Sequence, residues 1–202
     1  MFPFATPPTN NKELCDERLA ICAAKHKRLR HLTRELLEEE ILRAFRLKVN
    51  VRNLGEAAFA QIRGAWASTG RLVDFPWEER IMPILEKSHP RRLDLTFWSG
   101  EALCGVAVAR LSDAREWISL THIEGSPDPS HPLKKRVVPI ALVGADIYAS
   151  LVKEEGELPK KPTIRILNPL KESMRWYEQC GYSELQQANG YSFATCFSGG
   201  RS

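Results

Sequence analysis

Three consecutive basic residues, Lys134, Lys135 and Arg136, stand directly before a helix predicted over residues 137–152. A helix N-terminus already carries a partial positive charge, so three cations beside it repel it and one another. A bound anion would relieve this repulsion, and the backbone N–H groups of a helix N-terminus are suited to hold a phosphate. A solvated basic loop is the alternative interpretation. The pattern favours an anion-binding loop.

Two side chains with acid–base chemistry lie close together on a strand predicted over residues 117–124. His122 and Glu124 are two residues apart, so they project from the same face of the strand. The ordinary pKa of histidine lies near neutrality, which suits proton transfer, and a carboxylate can accept a proton directly or through water. A hydrogen-bonded histidine and a surface carboxylate without catalytic roles are the alternatives, and both stay open.

The chain that must position these residues has the composition of an ordinary globular protein. It has 202 residues, of which 43% are hydrophobic and 27% charged, with a formal net charge of +4. This composition excludes global disorder. So small a charge excess does not require a nucleic-acid or membrane partner. No apolar run reaches the length of about 18 residues that predicts a membrane span.

The cysteines indicate a reducing environment. Five are scattered along the chain without a Cys-x-x-Cys pair, at Cys15, Cys22, Cys104, Cys180 and Cys196. This number and spacing predict free thiols and no metal site. The first eight residues lack the basic and apolar regions of a secretory signal. We therefore expect a cytoplasmic protein.

The hydrophobic pattern predicts an α+β fold. Residues 1–10 are rich in Pro, Thr and Asn, whereas residues 11–46 contain no Gly or Pro and repeat leucines at helical spacing, which predicts a helical arm with a possible break near residues 19–26. Residues 47–202 then give the order strand, two helices, three strands, helix, strand, helix, two strands. The last two strands flank Asn189-Gly190, a strong hairpin signal. This order predicts one mixed sheet with helices on both faces.

The helical arm has a basic stretch over residues 25–34, followed by Glu35 and by three glutamates at 38–40. Nucleic-acid binding is not favoured, because the basic run is short, contains no aromatic residues and precedes these carboxylates. A solvated face with internal charge pairs explains the pattern better. The apolar stripe of the arm must be buried on the core domain or on a second copy of the chain. A homodimer through the arm is therefore a hypothesis.

Three stretches resemble the GNAT family of N-acetyltransferases: residues 117–150, residues 164–182 and the closing hairpin. The second is the most specific, since Asn168 ends a strand and the next helix carries an aromatic-Tyr-Glu triplet around Tyr177. The likeness covers roughly residues 47–197. It implies a GNAT-like mixed, mostly antiparallel sheet, preceded here by the helical arm. It also implies acyl transfer from acetyl-CoA to a primary amine by direct attack, without a metal.

The resemblance also implies roles for individual residues. Tyr177 is the expected general acid, which protonates the departing thiolate, and Glu124 is the expected base. Asn168 ends its strand where the two parallel strands of the family splay apart. The expected contacts of acetyl-CoA are Ile123, Lys134, Lys135, Arg136, Val137, Val138, Asn168 and Ser173. Plain packing of Tyr177 and helix capping by Asn168 are the alternatives.

The loop before the helix departs from the family pattern, Gln/Arg-x-x-Gly-x-Gly/Ala. Lys134 fits the opening position, but Val137 and Pro139 stand where the family has glycines, and Pro139 has no N–H to donate. One interpretation is a variant loop that holds phosphate with cationic side chains and fewer amides. The other is a non-catalytic GNAT-like binding protein that uses its cleft or its arm for a partner.

Overall fold

A single seven-stranded sheet, in the order β1-β2-β3-β4-β5-β7-β6, runs through the molecule. The computed structural model describes residues 11–71, 75–159, 162–169, 174–182, 186–188 and 191–197. The strands are β1 (Asn50–Arg52), β2 (Arg92–Ser99), β3 (Ala102–Leu111), β4 (Trp117–Gly125), β5 (Thr163–Leu167), β6 (Gln186–Ala188) and β7 (Tyr191–Phe197). Neighbouring strands are antiparallel except β4 and β5, which are parallel.

In the described part of the chain, six helices surround this sheet. They are α1 (Asn11–Phe45), α2 (Glu56–Gln61), α3 (Ala67–Thr69), α4 (Met82–Ser88), α5 (Val137–Glu154) and α6 (Met174–Gln179). Two π-helical turns, Ile62–Trp66 and Trp77–Ile81, lead into α3 and α4. None of the helices in the described part of the chain combines the length and the apolar character needed to span a bilayer.

The two faces of the sheet bury two separate hydrophobic cores. Side chains of β3 alternate between them: Ala107 and Ala109 belong to the core covered by α1, α5 and α6. Val106 and Val108 belong to the core that contains the tryptophans of the two π-helical turns. Helices therefore cover both faces, and the predicted fold class is confirmed. Below, the first face is the one covered by α5 and the second face is the opposite one.

The N-terminal helix α1 is part of the first core. It runs without a break through its 35 residues, so the possible break near residues 19–26 is absent. Leu29, Leu37 and Ile41 are 2%, 0% and 1% exposed and pack in the same cluster as the buried residues of α5. The apolar stripe that they form is thus buried on the chain's own domain.

Two arginines of α1 complete the hydrogen bonding of β2. Strand β1 pairs only with Thr96, Phe97 and Trp98 of β2. Among the described residues, no strand lies beside the first half of β2 on that side. Arg30 donates to the carbonyl oxygen of Arg92 (3.4 Å) and Arg34 donates to that of Asp94 (3.4 Å). The guanidinium groups of α1 therefore stand in for a strand partner.

A buried histidine links α1 to α5. His26 is fully buried, with Nδ1 2.6 Å from the hydroxyl of Tyr148 and Nε2 3.3 Å from a carboxylate oxygen of Glu157. Desolvation lowers the pKa of His26 despite the nearby carboxylate. A neutral ring with its proton on Nε2 satisfies both contacts, since Nδ1 then accepts from Tyr148 and Nε2 donates to Glu157.

Leu37→Ala is expected to lower the free energy of unfolding by about 2–5 kcal/mol, the usual cost of truncating a fully buried leucine. Leu42→Ala, on the same helix at a position 55% exposed, is the matched control and is expected to change it by less than about 0.5 kcal/mol. Urea unfolding followed by circular dichroism measures both values. Equal effects of the two substitutions would contradict the packing of α1 described here.

The element boundaries differ from the prediction at several places. The helix after β1 begins at Glu56 with Gly55 as its N-cap, instead of after Asn53. Of the next-to-last strand, predicted over residues 182–185, residues 183–185 lie outside the described residues, and β6 is described from Gln186 to Ala188. The predicted turn at residues 189–190 lies outside the described residues. Ala188 and Tyr191 pair across it in antiparallel register.

Candidate active site

The candidate site lies where the two parallel strands separate. Strands β4 and β5 pair only from Trp117 to Leu120 and from Thr163 to Ile166. Beyond these residues a cavity of about 720 Å³ opens between the strands. The ends of both strands, the start of α5 and Tyr177 of α6 line this cavity. It is the splayed pair that the resemblance implied.

A β-bulge at Thr121 determines which side chains of β4 reach the site. In the pairing with β3, Ala109 lies opposite Leu120 but Val108 lies opposite His122, so Thr121 is an extra residue. An extra residue reverses the alternation of the side chains that follow it. Regular alternation would place His122 on the first face with Leu120. The bulge places it on the second face, and Glu124 with it.

Glu124 is held by three hydrogen bonds on the second face. It is 6% exposed. Nε and Nη2 of Arg71 donate to its two oxygens at 2.7 Å each, and the indole N–H of Trp77 donates at 2.6 Å. The interpretation of Glu124 as a surface carboxylate is therefore wrong. These charge-assisted and buried bonds occupy three of the roughly four acceptor sites of the carboxylate and hold it in place, so the geometry favours a positioning role.

His122 has the contacts expected of a neutral base. Its ring lies edge-on to Phe75 and Trp77, with centroids 5.1 and 5.7 Å away, and burial lowers its pKa. The hydroxyl of Thr121 donates to the carbonyl of Val108 at 3.3 Å and therefore accepts from Nδ1–H of His122 at 3.0 Å. That tautomer leaves the lone pair of Nε2 as a proton acceptor.

Tyr177 reaches the cavity from the other side of the sheet. It is 5% exposed and belongs to the first-face core. Its ring lies edge-on to that of Tyr182, with centroids 6.5 Å apart, and its carbonyl accepts hydrogen bonds from the backbone of Cys180 and Tyr182. The phenol and the imidazole of His122 thus approach one cavity from opposite faces.

The start of α5 forms the basic side of the cavity. Lys134 and Lys135 line it with exposed side chains, and Lys135 has a left-handed backbone with φ of +64°. The buried Nδ1 of His131, which also lines the cavity, has no hydrogen-bond partner among the described residues. Arg136 differs, because its guanidinium lies over the ring of Phe45 at 5.8 Å and it is not among the residues lining the cavity.

Val137, at a glycine position of the family pattern, turns its side chain into the sheet. It is 6% exposed and lies against Gly105 of β3 and Gly125 of β4. A Cβ at Gly105 would stand 2.6 Å from Cγ1 of Val137, and a Cβ at Gly125 would stand 3.6 Å from its Cγ2. The lack of a side chain at these two strand glycines therefore leaves space for the side chain of Val137.

Gly105→Ala is expected to lower the free energy of unfolding by about 1–3 kcal/mol, because the added methyl overlaps Val137 in a packed core. The double variant Gly105→Ala with Val137→Ala is expected to regain part of this loss. Gly64→Ala is the control, since a Cβ there meets nothing within 4 Å. Chemical denaturation of these three variants and of Val137→Ala alone measures the effect. An additive double variant would contradict contact between the two positions.

Asn168 connects β5 to β7. Its backbone N–H donates to the carbonyl of Ser192 at 2.7 Å, and its side-chain oxygen accepts from the N–H of Ser192 at 3.1 Å. Its φ of +45° lies in the left-handed region, which asparagine tolerates better than most residues. The side-chain oxygen of Asn168 is therefore engaged with β7 of the sheet. The described part of α6 begins at Met174.

No family model matches the chain, and no curated protein matches it. Several solved structures of N-acetyltransferases are similar to it. The ribosomal-protein-S18-alanine N-acetyltransferase from Escherichia coli is 14% identical, with a TM-score of 0.47 over 74% of this chain and 94% of its own. The aminoglycoside 6'-N-acetyltransferase from Enterococcus faecium is 13% identical, with a TM-score of 0.49 over 75% and 98%. The PaiA N-acetyltransferase from Thermoplasma acidophilum, in complex with coenzyme A, is 16% identical, with a TM-score of 0.42 over 74% and 98%.

The strand order and the single parallel pair that splays beside a cavity decide the fold. The chain has a GNAT-like fold. Within it, the cavity brings together eight of the predicted site residues, namely Ile123, Glu124, Lys134, Lys135, Val137, Val138, Asn168 and Tyr177. Arg136 lies away from this lining, and Ser173 falls outside the described residues. Among the described residues, no group of three or more His, Cys, Asp or Glu side chains is placed to hold a metal ion.

The sequence reasoning did not find Arg71 as part of this GNAT-like site. Arg71 lines the cavity and reaches Glu124 across 53 positions of the chain. No local spacing marks such a pair. The available signal was an aromatic and charged loop after Gly70, whose φ of +86° ends the preceding helix.

Proposed function

We propose that this chain is an acyl-CoA-dependent N-acyltransferase, which transfers acetyl from acetyl-CoA to a primary amine. The proposal depends on one observation above all: His122 and Tyr177 reach a single cavity from opposite faces of the sheet, beside the cationic start of α5. A base and an acid on the two sides of a reacting centre are what amine attack on a thioester requires.

The residues at the start of α5 fit a pyrophosphate. The first turn of a helix leaves its N–H groups without intrahelical acceptors, and Val137 and Val138 supply two such groups while Pro139 supplies none. Lys134 and Lys135 add two ammonium charges next to these amides. Because the side chain of Val137 packs against the strand glycines, it leaves the backbone of the loop open to a phosphate. Compared with the glycine-containing family pattern, the loop offers fewer backbone N–H groups to the phosphate, and the two lysine side chains compensate for them.

His122 and Tyr177 have complementary roles in the proposed reaction. When bound, acetyl-CoA supplies a thioester that is activated toward amines. Nε2 of His122 accepts the proton that the amine loses as its nitrogen bonds to the carbonyl carbon. The hydroxyl of Tyr177 donates a proton to the sulfur as the carbon–sulfur bond breaks. Phe75 and Trp77 shield the imidazole, which keeps it in its neutral form.

The pairing of Arg71 with Glu124 explains how this carboxylate can lie on the same strand as His122 without raising the pKa of the imidazole. A carboxylate near a histidine ordinarily raises the pKa of the imidazole. Here the guanidinium of Arg71 pairs with Glu124, and burial alone accounts for the lowered pKa of His122. We therefore assign the base to His122 and a positioning role to Glu124. Glu124 stays the second candidate for the base, as the resemblance implied.

Calorimetric titration of the full chain with acetyl-CoA and with CoA tests the proposal. We expect a dissociation constant in the micromolar range for both ligands. Lys134→Ala and Lys135→Ala are each expected to weaken binding by about tenfold, equivalent to about 1.4 kcal/mol. Arg136→Ala is the matched control and is expected to leave the affinity unchanged, since Arg136 contacts Phe45.

A non-catalytic binding protein is the second candidate, and Pro139 in the first turn of α5 is the observation that favours it. The titration separates the two candidates. No measurable binding of acetyl-CoA or CoA by the wild-type chain would contradict the transferase and support the binding protein. Equal weakening by Arg136→Ala and by the lysine substitutions would instead contradict the placement of the phosphate at Lys134 and Lys135.

A further inference from the structure

The exposed apolar side chains of this protein are concentrated on α1. Among the described residues, six of the seven exposed large hydrophobic side chains belong to this helix: Leu14, Leu19, Ile21, Leu32, Leu36 and Leu42. Four of them, Leu14, Ile21, Leu32 and Leu36, follow at intervals of seven, eleven and four residues. Each interval is close to a whole number of helical turns, so these four share one stripe. It adjoins the stripe that buries Leu29 and Leu37, since Leu36 lies two turns after the buried Leu29 but is 43% exposed.

A groove continues this exposed stripe. A cavity of about 510 Å³ lies between α1 and α5 and is lined by Leu32, Glu35, Leu36, Glu38, Glu39 and Leu151. Its apolar residues come from both helices and its carboxylates from α1 alone. A groove of this chemistry fits a helix that carries apolar and basic residues together.

The N-terminal half of α1 carries such apolar and basic residues together. Residues 14–21 are all exposed, and a helix of 35 residues is about 52 Å long, so the first turns of α1 carry their apolar residues away from the core. Lys25 and Arg28 follow on the same stripe, before Leu32, whereas Glu35 and Glu39 come after it. Between residues 25 and 39, the charge along the stripe therefore changes sign at Leu32.

We propose that a second copy of this chain binds this stripe, with the two α1 helices antiparallel about a two-fold axis near Leu32. In such a pair, residues whose numbers add up to about 64 face each other, because a two-fold interface is self-complementary. Leu32 meets Leu32 of the other copy, Lys25 meets its Glu39, and Arg28 meets its Glu35 and Leu36. A parallel pair would instead bring like charges together.

The ion pairs within the chain are compatible with this pairing. Arg28 contacts Glu155 of its own chain, but its side chain is 62% exposed, and a guanidinium has five donors. Lys25 contacts Glu157 of its own chain and is 30% exposed. Glu35 is 58% exposed. Charged groups on the stripe thus remain accessible to the other copy.

Sedimentation equilibrium of the full chain over a range of concentrations tests the interface. We expect the mass of a dimer at high concentration and dissociation on dilution. Leu32→Glu places two carboxylates at the two-fold axis and is expected to give a monomer. Its thermal unfolding curve is expected to match that of the wild-type chain at concentrations where the wild type is also monomeric. Ile84→Glu is the control, because Ile84 is 56% exposed on α4, and it is expected to leave the dimer intact.

Charge reversal tests the antiparallel orientation. Arg28→Glu and Glu35→Arg are each expected to raise the dimer dissociation constant by about tenfold, because each brings like charges together across the interface. The double variant is expected to restore it to within about threefold of the wild-type value. A wild-type monomer at every concentration, or a dimer that persists in Leu32→Glu, would overturn the interface. A double variant weaker than both single variants would overturn the orientation.

Discussion

Tyr177→Phe is expected to lower the turnover number by about 10²–10⁴-fold, the usual contribution of a general acid. Its affinity for CoA is expected to stay at the wild-type value. The substitution removes only the phenolic oxygen, and the ring keeps its place beside Tyr182 in the first-face core. The measurement combines steady-state rates on a panel of primary amines with a calorimetric titration of CoA.

Tyr182→Phe is the matched control for this experiment. Tyr182 is buried like Tyr177 and lies 6.5 Å from it, but it is not among the residues lining the cavity. The loss of its hydroxyl is therefore expected to leave the turnover number within about threefold of wild type, far from the effect of a lost general acid. An unchanged rate in Tyr177→Phe, or an equal loss in Tyr182→Phe, would remove Tyr177 from the proposed chemistry.

His122→Gln is expected to lower kcat/KM by about 10²–10⁴-fold and to change its pH dependence. Burial lowers the pKa of His122 below its ordinary value of 6.5. The neutral, proton-accepting form is therefore still dominant at pH 6.5, and it is lost only as the pH falls below that value. Once corrected for the fraction of acceptor present as free amine, the kcat/KM of the wild-type chain should accordingly be flat through pH 6.5 and fall at lower pH. This acid limb should be absent from the glutamine variant.

Glu124→Gln separates the two candidate bases. It keeps an oxygen that can accept from Trp77 but removes the charge that pairs with the buried guanidinium of Arg71. We expect this variant to lose stability and to retain the acid limb of the pH profile. If Glu124→Gln removes the limb and His122→Gln keeps it, then Glu124 is the base and the role assigned to His122 is wrong.

The parts of the site that are local in sequence could be predicted. The basic residues before α5 and the tyrosine of α6 belong to motifs whose elements follow from hydrophobic periodicity. The bulge at Thr121 could not be predicted, because an extra residue in a strand depends on its pairing with β3. The predicted shared face of His122 and Glu124 is confirmed, but the sequence did not indicate which core they approach.

The remaining misses concern contacts between distant segments. Glu124 looked like the end of an exposed strand, yet Arg71 and Trp77 bury it from another part of the chain. Val137, at a glycine position of the family pattern, was expected to impair the loop, but its side chain packs against Gly105 of β3. For α1, the leucine pattern predicted an apolar stripe, but two stripes exist. Only packing against α5 distinguishes the buried one.

The contacts of α1 with β2 have a consequence for aggregation. An open strand edge with unpaired backbone groups is a template on which another chain can add a strand. Within the described residues, the first half of β2 has such an edge, and it carries Leu93 and Leu95, each 1% exposed in the folded chain. By occupying the carbonyl oxygens of Arg92 and Asp94, Arg30 and Arg34 block this template. A chain reduced to residues 47–202 would present an apolar strand edge to its neighbours, so α1 also acts as a guard against intermolecular sheet formation.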